Sequence, residues 1–267
     1  MKRSFRGAAF AAAPFLIGSA AHAQNPFSAP RNAVVDASGA KSIEVEAAAG
    51  DLRVEGKPGL RQVQVTGTAR SSSQQMLSRI KLIAERRGDV VFIKADMPDD
   101  DNFYRDDDYS AALDLVIEVP QGLNADIGDG SGEATVLNVG SLEMSDGSGS
   151  LSVTGASGSV HITDGSGDLT IENIGGDVTV QDGSGDIKVR NVTGSFTVQT
   201  DGSGGIFATD VKGSVVVEND GSGTIEVSKV GKDLRVESKG SGDIDYAEVS
   251  GQIDIPERHR RGRRSDR

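Results

Sequence analysis

The second half of the chain repeats one pattern of apolar and polar positions in units of 17–19 residues. Each unit opens with a Gly-Ser-Gly turn and continues with two short stretches in which every second residue is apolar. Alternation with a period of two, rich in β-branched residues, is typical of strands that turn one face to a core. The motif Asp-Gly-Ser-Gly begins at Asp129, Asp146, Asp164, Asp182, Asp201 and Asp220, and Lys239-Gly-Ser-Gly replaces it once.

The apolar positions of successive units fall into the same columns. In the unit that begins at Asp182 they are Ile187, Val189, Val192, Phe196 and Val198. Two short strands alone bury too little apolar surface to be stable, whereas stacking equal positions turns each column into a continuous core. The sequence therefore predicts an all-β fold, a β-solenoid (β-helix) with coils of ~18–19 residues and two strands each. Each coil advances the stack by ~4.8 Å.

Glycine and Asn or Asp mark the two corners of each predicted coil. Gly-Ser-Gly lets the backbone take positive φ without a Cβ clash, and the preceding Asp can accept a hydrogen bond from the backbone two residues on, as in an Asx turn. The other corner carries Asn173, Asn191 and Asp210 in successive coils. Both corners therefore have residues that suit sharp turns.

The rest of the chain divides by composition. Residues 1–23 have a basic start, an apolar stretch and an Ala-His-Ala cleavage site, which is typical of a signal peptide. Residues 33–120 form a β-rich N-terminal cap with an acidic insertion at 96–110, residues 121–255 the solenoid, and residues 256–267 a disordered basic tail. Within the cap we expect one short helix, Ser73–Arg79, and six strands: Ser42–Ala47, Asp51–Gly56, Gln62–Thr68, Ile80–Arg86, Val90–Ala95 and Ala111–Val119.

Charge and cysteine content exclude several classes of protein. The net charge of −12 argues against nucleic-acid binding, and the absence of Cys excludes disulfides, thiolate metal sites and a cysteine nucleophile. No stretch after the signal peptide is long and apolar enough for a transmembrane helix. We therefore expect an exported protein of the periplasm, the cell surface or the extracellular space.

The repeated Asp residues admit two interpretations. Stacked coils place their carboxylates ~5 Å apart, where like charges repel. Either cations bind along this candidate edge, or each carboxylate turns to its own backbone in a structural ladder of Asx turns. Calcium-binding β-rolls use Gly-Gly-x-Gly-x-Asp nonapeptides, and the spacing here differs, so the Asx turns are favoured and no metal or cofactor is predicted.

Three other charged segments have a functional and a simpler interpretation. The acidic insertion could chelate calcium in a loop, but a solvated loop is favoured. Arg87-Gly88-Asp89 matches a tripeptide that some adhesins present to integrins, but it suits an ordinary turn. The tail could bind an anionic surface such as lipopolysaccharide phosphates, or it could be a solubilising end or fold back on the acidic body. Its candidate contacts are Arg258, Arg260, Arg261, Arg263 and Arg264.

The chain resembles a family of exported bacterial β-strand repeat proteins, a domain of unknown function that bears the name of an adhesin. The resemblance rests on Leu115-x-Ile117-x-Val119-Pro120 followed by repeated units such as Gly183–Val189 and Gly176–Val180, and it covers roughly residues 42–255. It implies a periplasmic or surface solenoid that acts by binding, and it brings no catalytic residues to this sequence.

The sequence favours a protein that is not an enzyme. No nucleophile elbow, phosphate-binding loop or His-Glu-x-x-His motif occurs. The leading hypothesis is a non-catalytic exported solenoid that binds an envelope or extracellular ligand: a glycan, a lipopolysaccharide or a protein. The alternatives are a carbohydrate-active enzyme on the same solenoid, since paired carboxylates are abundant, and a calcium-stabilised structural module.

The preference for Asx turns predicts a weak response to calcium. Millimolar Ca²⁺ should shift the melting temperature no more than millimolar Mg²⁺ does, because the ligand spacing of calcium-binding repeats is missing. Thermal unfolding followed by circular dichroism in either salt measures this, and a large rise with calcium alone would contradict it.

Overall fold

The computed structural model describes residues 26–98 and 110–256, which form 22 strands and one short helix. The predicted signal peptide, most of the acidic insertion and the tail beyond Pro256 lie outside the described residues. Within the described residues, no helix reaches the length and apolarity that crossing a membrane takes.

Two sheets of 11 strands lie face to face. In spatial order the first sheet contains β1 (Phe27–Asp36), β4 (Gln62–Ser71), β7 (Ala111–Pro120), β3 (Leu52–Lys57), β9 (Ala134–Leu137), β11 (Leu151–Thr154), β13 (Leu169–Ile174), β15 (Ile187–Val192), β17 (Ile206–Val211), β19 (Ile225–Val230) and β21 (Ile244–Val249). The second contains β22 (Ile253–Asp254), β20 (Leu234–Ser241), β18 (Val215–Ser222), β16 (Phe196–Asp201), β14 (Val178–Asp182), β12 (Val160–Asp164), β10 (Leu142–Asp146), β8 (Asn124–Asp129), β2 (Ser42–Glu46), β6 (Val90–Asp96) and β5 (Lys81–Arg87).

From β8 onward the chain alternates between the sheets, and each strand pairs in parallel with its counterpart one coil away. Ile187 of β15 stands in register with Leu169 of β13 and Ile206 of β17, for example. The predicted β-solenoid is therefore confirmed, with about seven coils some 19 residues apart. The inward columns are buried, and Phe196, Ile187 and Ile206 have no exposed surface. Such aliphatic columns supply the main driving force, at roughly 1.5–3 kcal/mol for each fully buried side chain.

The N-terminal segment adds coils in an order that differs from the chain order. β2 and β3 pair in parallel with β8 and β9 on one side and with β6 and β7 on the other. Along the chain β2 and β3 come first, and β6 and β7 then pair with their outer side. The chain next crosses to the other side of β2 and β3, where β8 begins. Segments that read as an irregular cap thus contribute two coils to the same stack.

Antiparallel strands close the N-terminal end of the solenoid. β4 pairs with β7 and β1 with β4 in the first sheet, and β5 pairs with β6 in the second. The helix α1 (Gln74–Arg79) buries Met76 and Leu77, and Arg31 of β1 donates to the carbonyl oxygens of Leu77 and Ile80, each at 2.8 Å. The sequence did not indicate β1, because Pro30 interrupts its pattern. Proline is tolerated there because β1 is an edge strand.

The Gly-Ser-Gly corners stack so closely that a side chain does not fit. Gly185 has a φ of 139°, and a Cβ on it would overlap the carbonyl oxygen of Gly167 in the preceding coil. A Cβ on Gly183 would overlap the carbonyl oxygen of Gly165 in the same way. These glycines are therefore required by the close approach of one backbone to the next as well as by the turn.

Gly183→Val should destabilise the solenoid by about 3 kcal/mol, because the backbone of Gly165 cannot move without disturbing its own coil. Lys188→Val, on the exposed face three residues beyond the turn, should change stability by no more than about 0.5 kcal/mol. Chemical denaturation of both variants measures this. Equal losses in the two would show that the corner does not limit stacking.

Candidate functional site

The six Asp residues of the repeated motif point into the solenoid. We call them the Asp column: Asp129, Asp146, Asp164, Asp182, Asp201 and Asp220. Five of them end strands of the second sheet, and Asp220 lies within β18. Each is between 1% and 7% exposed. Sequence reasoning found this column but could not tell that its carboxylates lie inside the protein.

Strand pairing holds the column in register through a change of coil length. Asp146, Asp164 and Asp182 follow at 18-residue intervals and pair directly. The next coil has 19 residues, and a β-bulge at Gln199 absorbs the extra one, so that Asp201 still pairs with Asp182. The extra residue, Gln199, changes the surface of this coil and leaves the Asp column aligned.

Burial raises the pKa values of five carboxyls of the Asp column, and repulsion between neighbouring carboxylates adds to this at three of them. Burial, followed by the negative charges of Asp146 and Asp182, raises the pKa of Asp164 to about 7. Burial and the charges of its neighbours likewise raise the pKa of Asp201 to about 7. Burial brings the pKa of Asp129 and that of Asp182 to about 6. These four carboxyls therefore change their charge near neutral pH.

The hydrogen bond of the predicted Asx turn is clearest at Asp182, which accepts from the Ser184 amide two residues on at 3.1 Å. Asp129 accepts instead from the adjacent Gly130 amide at 2.9 Å. Both carboxylate oxygens of Asp146, Asp164 and Asp201 are buried without a hydrogen-bond partner. Nearby Gly and Ser amides lower the pKa of these carboxyls less than burial raises it. Asx turns thus account for part of the column.

Lys239 occupies the position that follows Asp220 in the stack, where the earlier coils have Asp. Its side chain has no exposed surface, and its ammonium donates to the Asp220 carboxylate and to the carbonyl oxygens of Gly223 at 2.7 Å and Ser241 at 2.9 Å. This ion pair compensates the charge of one carboxylate. Removing one partner of a buried pair is costly.

The other acidic and basic candidates are placed apart. In residues 26–98 and 110–256, no group of three or more His, Asp or Glu side chains is arranged to hold a metal ion. Arg87-Gly88-Asp89 forms the turn between β5 and β6, where Asp89 pairs with Lys41 at 2.8 Å and Arg87 lies over the Phe92 ring. The five candidate arginines of the tail lie outside the described residues.

A concave surface of about 770 Å³ follows the opposite corner of the last coils. We call it the corner groove, and its charged and amide-bearing residues are Asn173, Arg190, Asn191, Asp210, Lys212, Lys229 and Glu248. The side chains repeat from coil to coil at ~4.8 Å. The Asn191 amide donates to the Asn173 side chain at 2.7 Å, Arg190 pairs with Glu172 at 2.5 Å, and Lys229 lies 3.7 Å from Asp210.

Backbone strain accompanies this groove. Asn173, Asn191 and Asp210 have φ values of 57–59°, and Lys229 and Glu248 take the same conformation at 55°. Asn and Asp tolerate the left-handed region, whereas Lys and Glu rarely adopt it. Sequence reasoning identified the corner positions but missed Lys229, Glu248 and Lys212. The sequence signal that could have identified Lys229 and Glu248 is that they stand at the corner where earlier coils have Asn or Asp.

Comparison with known proteins identifies the family. The family model described as Toastrack DUF4097 matches residues 33–198, more than half of the chain. The chain belongs to the Toastrack DUF4097 family. The resemblance stated from the sequence is thereby confirmed. No curated protein is significantly similar in sequence to this Toastrack chain.

Several solved structures resemble the chain at low sequence identity. A "Putative lipid binding protein" from Parabacteroides distasonis superposes with a TM-score of 0.54 at 19% identity, over 84% of this chain and 93% of that one. A "putative adhesin" from Bacteroides fragilis gives a TM-score of 0.43 at 15% identity, over 86% of this chain and 98% of that one. A "putative cell adhesion protein" from Clostridium sporogenes gives 0.39 at 12%, over 85% and 99%. Of these, the Parabacteroides structure supports the fold of the Toastrack chain and nothing finer.

The raised pKa values predict that stability falls as pH rises from about 5 to 8. The folded protein keeps protons on Asp129, Asp164, Asp182 and Asp201 up to about pH 6 to 7, whereas an unfolded Asp loses its proton near 3.8. The folded state therefore binds more protons in this window, and the free energy of unfolding decreases with pH. The lowered pKa values of Asp36 and Asp89 act below the window. We expect a melting temperature several degrees lower at pH 8 than at pH 5.5.

Asp164→Asn should flatten this dependence, because it removes a carboxyl with a pKa of about 7 and one source of repulsion. Asp126→Asn, which neutralises an exposed carboxylate on β8, serves as its control and should leave the slope unchanged. Stability that is constant or rises between pH 5.5 and 8 would contradict the titration of the column.

Proposed function

We propose that this Toastrack protein is a non-catalytic binding protein that acts after export, in the periplasm or at the cell surface, on an envelope or extracellular ligand. The observation that carries the proposal is the division between interior and surface. Stacked aliphatic side chains fill the space between the sheets, and the corner groove is an external, periodic, polar surface. The predicted signal peptide supports the location.

The chemistry of the corner groove favours an acidic glycan as the ligand. Amide and carboxylate groups of Asn173, Asn191 and Asp210 can bond to sugar hydroxyls, and Arg190 and Lys212 can pair with sugar carboxylates. Lys212 is exposed and, within the described residues, forms no ion pair with another side chain. A surface that repeats at ~4.8 Å suits an extended polymer that presents the same groups many times.

Acidic and neutral glycans immobilised on an array, probed with the full chain, test this proposal. Lys212→Glu should weaken binding to acidic glycans at least tenfold, because it replaces attraction in the groove by repulsion. Asn191→Ala should weaken it less, since it removes one hydrogen-bonding amide. Lys81→Glu makes the same charge change on exposed β5, near the other end of the solenoid, and should change binding little.

Each alternative has its own result. Equal losses in Lys212→Glu and Lys81→Glu would show attraction by overall charge in place of recognition by the groove. Shortening of the bound glycan, abolished by a single Asp substitution, would indicate a carbohydrate-active enzyme. Absence of glycan binding altogether would exclude this ligand class and leave a protein or lipid partner.

A further inference from the structure

Lys239 shows what the space beside the Asp column can hold. In the preceding coils each Asp of the column is stacked on the next Asp. In the last coil Lys239 takes this position, and its ammonium lies against the Asp220 carboxylate. The ammonium is held by oxygen atoms: the Asp220 carboxylate, the carbonyl of Gly223 in the same coil as Asp220, and the carbonyl of Ser241 in its own coil. The side-chain ammonium of Lys239 thus occupies a buried position in the solenoid that is surrounded by oxygen atoms.

The backbone around Asp164 repeats that of Lys239. Gly149 stands three residues after Asp146 as Gly223 does after Asp220, and its amide donates to the Ser166 carbonyl at 3.0 Å. The amide of Gly223 donates to the Ser241 carbonyl at 3.2 Å in the same arrangement. The carbonyl oxygens of Gly149 and Ser166 therefore lie where their counterparts bind the ammonium of Lys239.

The side chains at the equivalent position leave charge unsatisfied. Asp146 and Asp164 are each 4% exposed, and all four of their carboxylate oxygens are buried without a hydrogen-bond partner. Leaving ionised groups buried and unpaired is strongly unfavourable. Asp is also shorter than Lys, so its side chain does not reach the place that the ammonium takes in the last coil. The geometry calls for a positive charge that no side chain of this coil supplies.

We propose that a monovalent alkali cation binds between Asp146 and Asp164, held by their carboxylates and by the carbonyl oxygens of Gly149 and Ser166. It takes the place that the ammonium of Lys239 takes at the end of the column. Carboxylate and carbonyl oxygens are hard ligands that suit alkali and alkaline-earth ions. By analogy with the singly charged ammonium of Lys239, we assign the site to a monovalent ion.

Protons compete with the cation for the same carboxylates. Protonation neutralises a carboxylate and removes it as a ligand, so Asp146 and Asp164 hold a cation only while they are ionised. The other charged groups of the column near them are Asp129 on one side and Asp182 on the other. Cation binding is therefore stronger at high pH than at low pH, which separates it from a general effect of salt.

Thermal unfolding of the full chain in NaCl, KCl or choline chloride at equal ionic strength tests the proposal. At pH 8.5 the melting temperature should be several degrees higher in NaCl or KCl than in choline chloride, because an ion that binds only the folded state stabilises it. At pH 5.5 the difference between the salts should be smaller. Equal values in the three salts at pH 8.5 would overturn the proposal and leave protons as the sole compensation.

Substitutions that imitate Lys239 locate the effect. Asp164→Lys should insert a tethered ammonium and reduce the difference between alkali and choline salts, and Asp126→Lys makes the same charge change on the surface and should preserve it. If Asp164→Lys does not fold, Asp164→Asn serves instead, since it removes one ligand without adding bulk. An undiminished difference in the folded variant would exclude this site.

Rubidium provides a direct observation, since it replaces potassium and scatters X-rays anomalously. Crystals grown with RbCl above pH 8 should show an anomalous peak between Asp146 and Asp164. No peak there, or a rise in melting temperature with Ca²⁺ that exceeds the rise with Na⁺ and K⁺ at equal ionic strength, would contradict a monovalent site.

Discussion

Parallel, in-register stacking is the constraint on which the whole structure depends. Each coil hydrogen-bonds to the next at equal positions, so nearly every side chain lies on its own counterpart about 4.8 Å away. A residue type is therefore acceptable only if it can stand on the residue at the same position of the next coil. Val and Ile satisfy this by packing, and Gly satisfies it at corners where the backbone of Gly165 approaches Gly183 too closely for a Cβ.

The same constraint treats polar residues differently at the two corners. Asn on Asn is favourable, because the amide of Asn191 donates to the carbonyl of Asn173. Asp on Asp is unfavourable, because two buried carboxylates repel and neither donates a hydrogen bond. The raised pKa of Asp164 is the direct expression of that conflict. Lys239 resolves it once with a fixed ammonium, so charge compensation by protons or cations is needed in the remaining coils.

Stacking also gives inward and outward positions a different tolerance to substitution. Apart from the Asp column, the interior columns consist mainly of aliphatic side chains, and change there is limited by packing. The outer positions are free to vary, and the corner groove shows this freedom where Lys229 and Glu248 replace the amides of earlier coils. In a fold of this kind, recognition of a ligand depends on outward residues that repeat along the axis.

The sequence by itself determined the solenoid, the coil length and the strands, because the 17–19-residue repeat and the period of two are local patterns that only stacking can satisfy. It also indicated the Asp column and the Asn corner. The tertiary structure alone decided that β2–β3 lies between β6–β7 and β8–β9, that antiparallel β1, β4 and β5 close one end, and that the carboxylates face inward. These features depend on pairings between distant segments and on a bulge at Gln199, and no local pattern of residues specifies either.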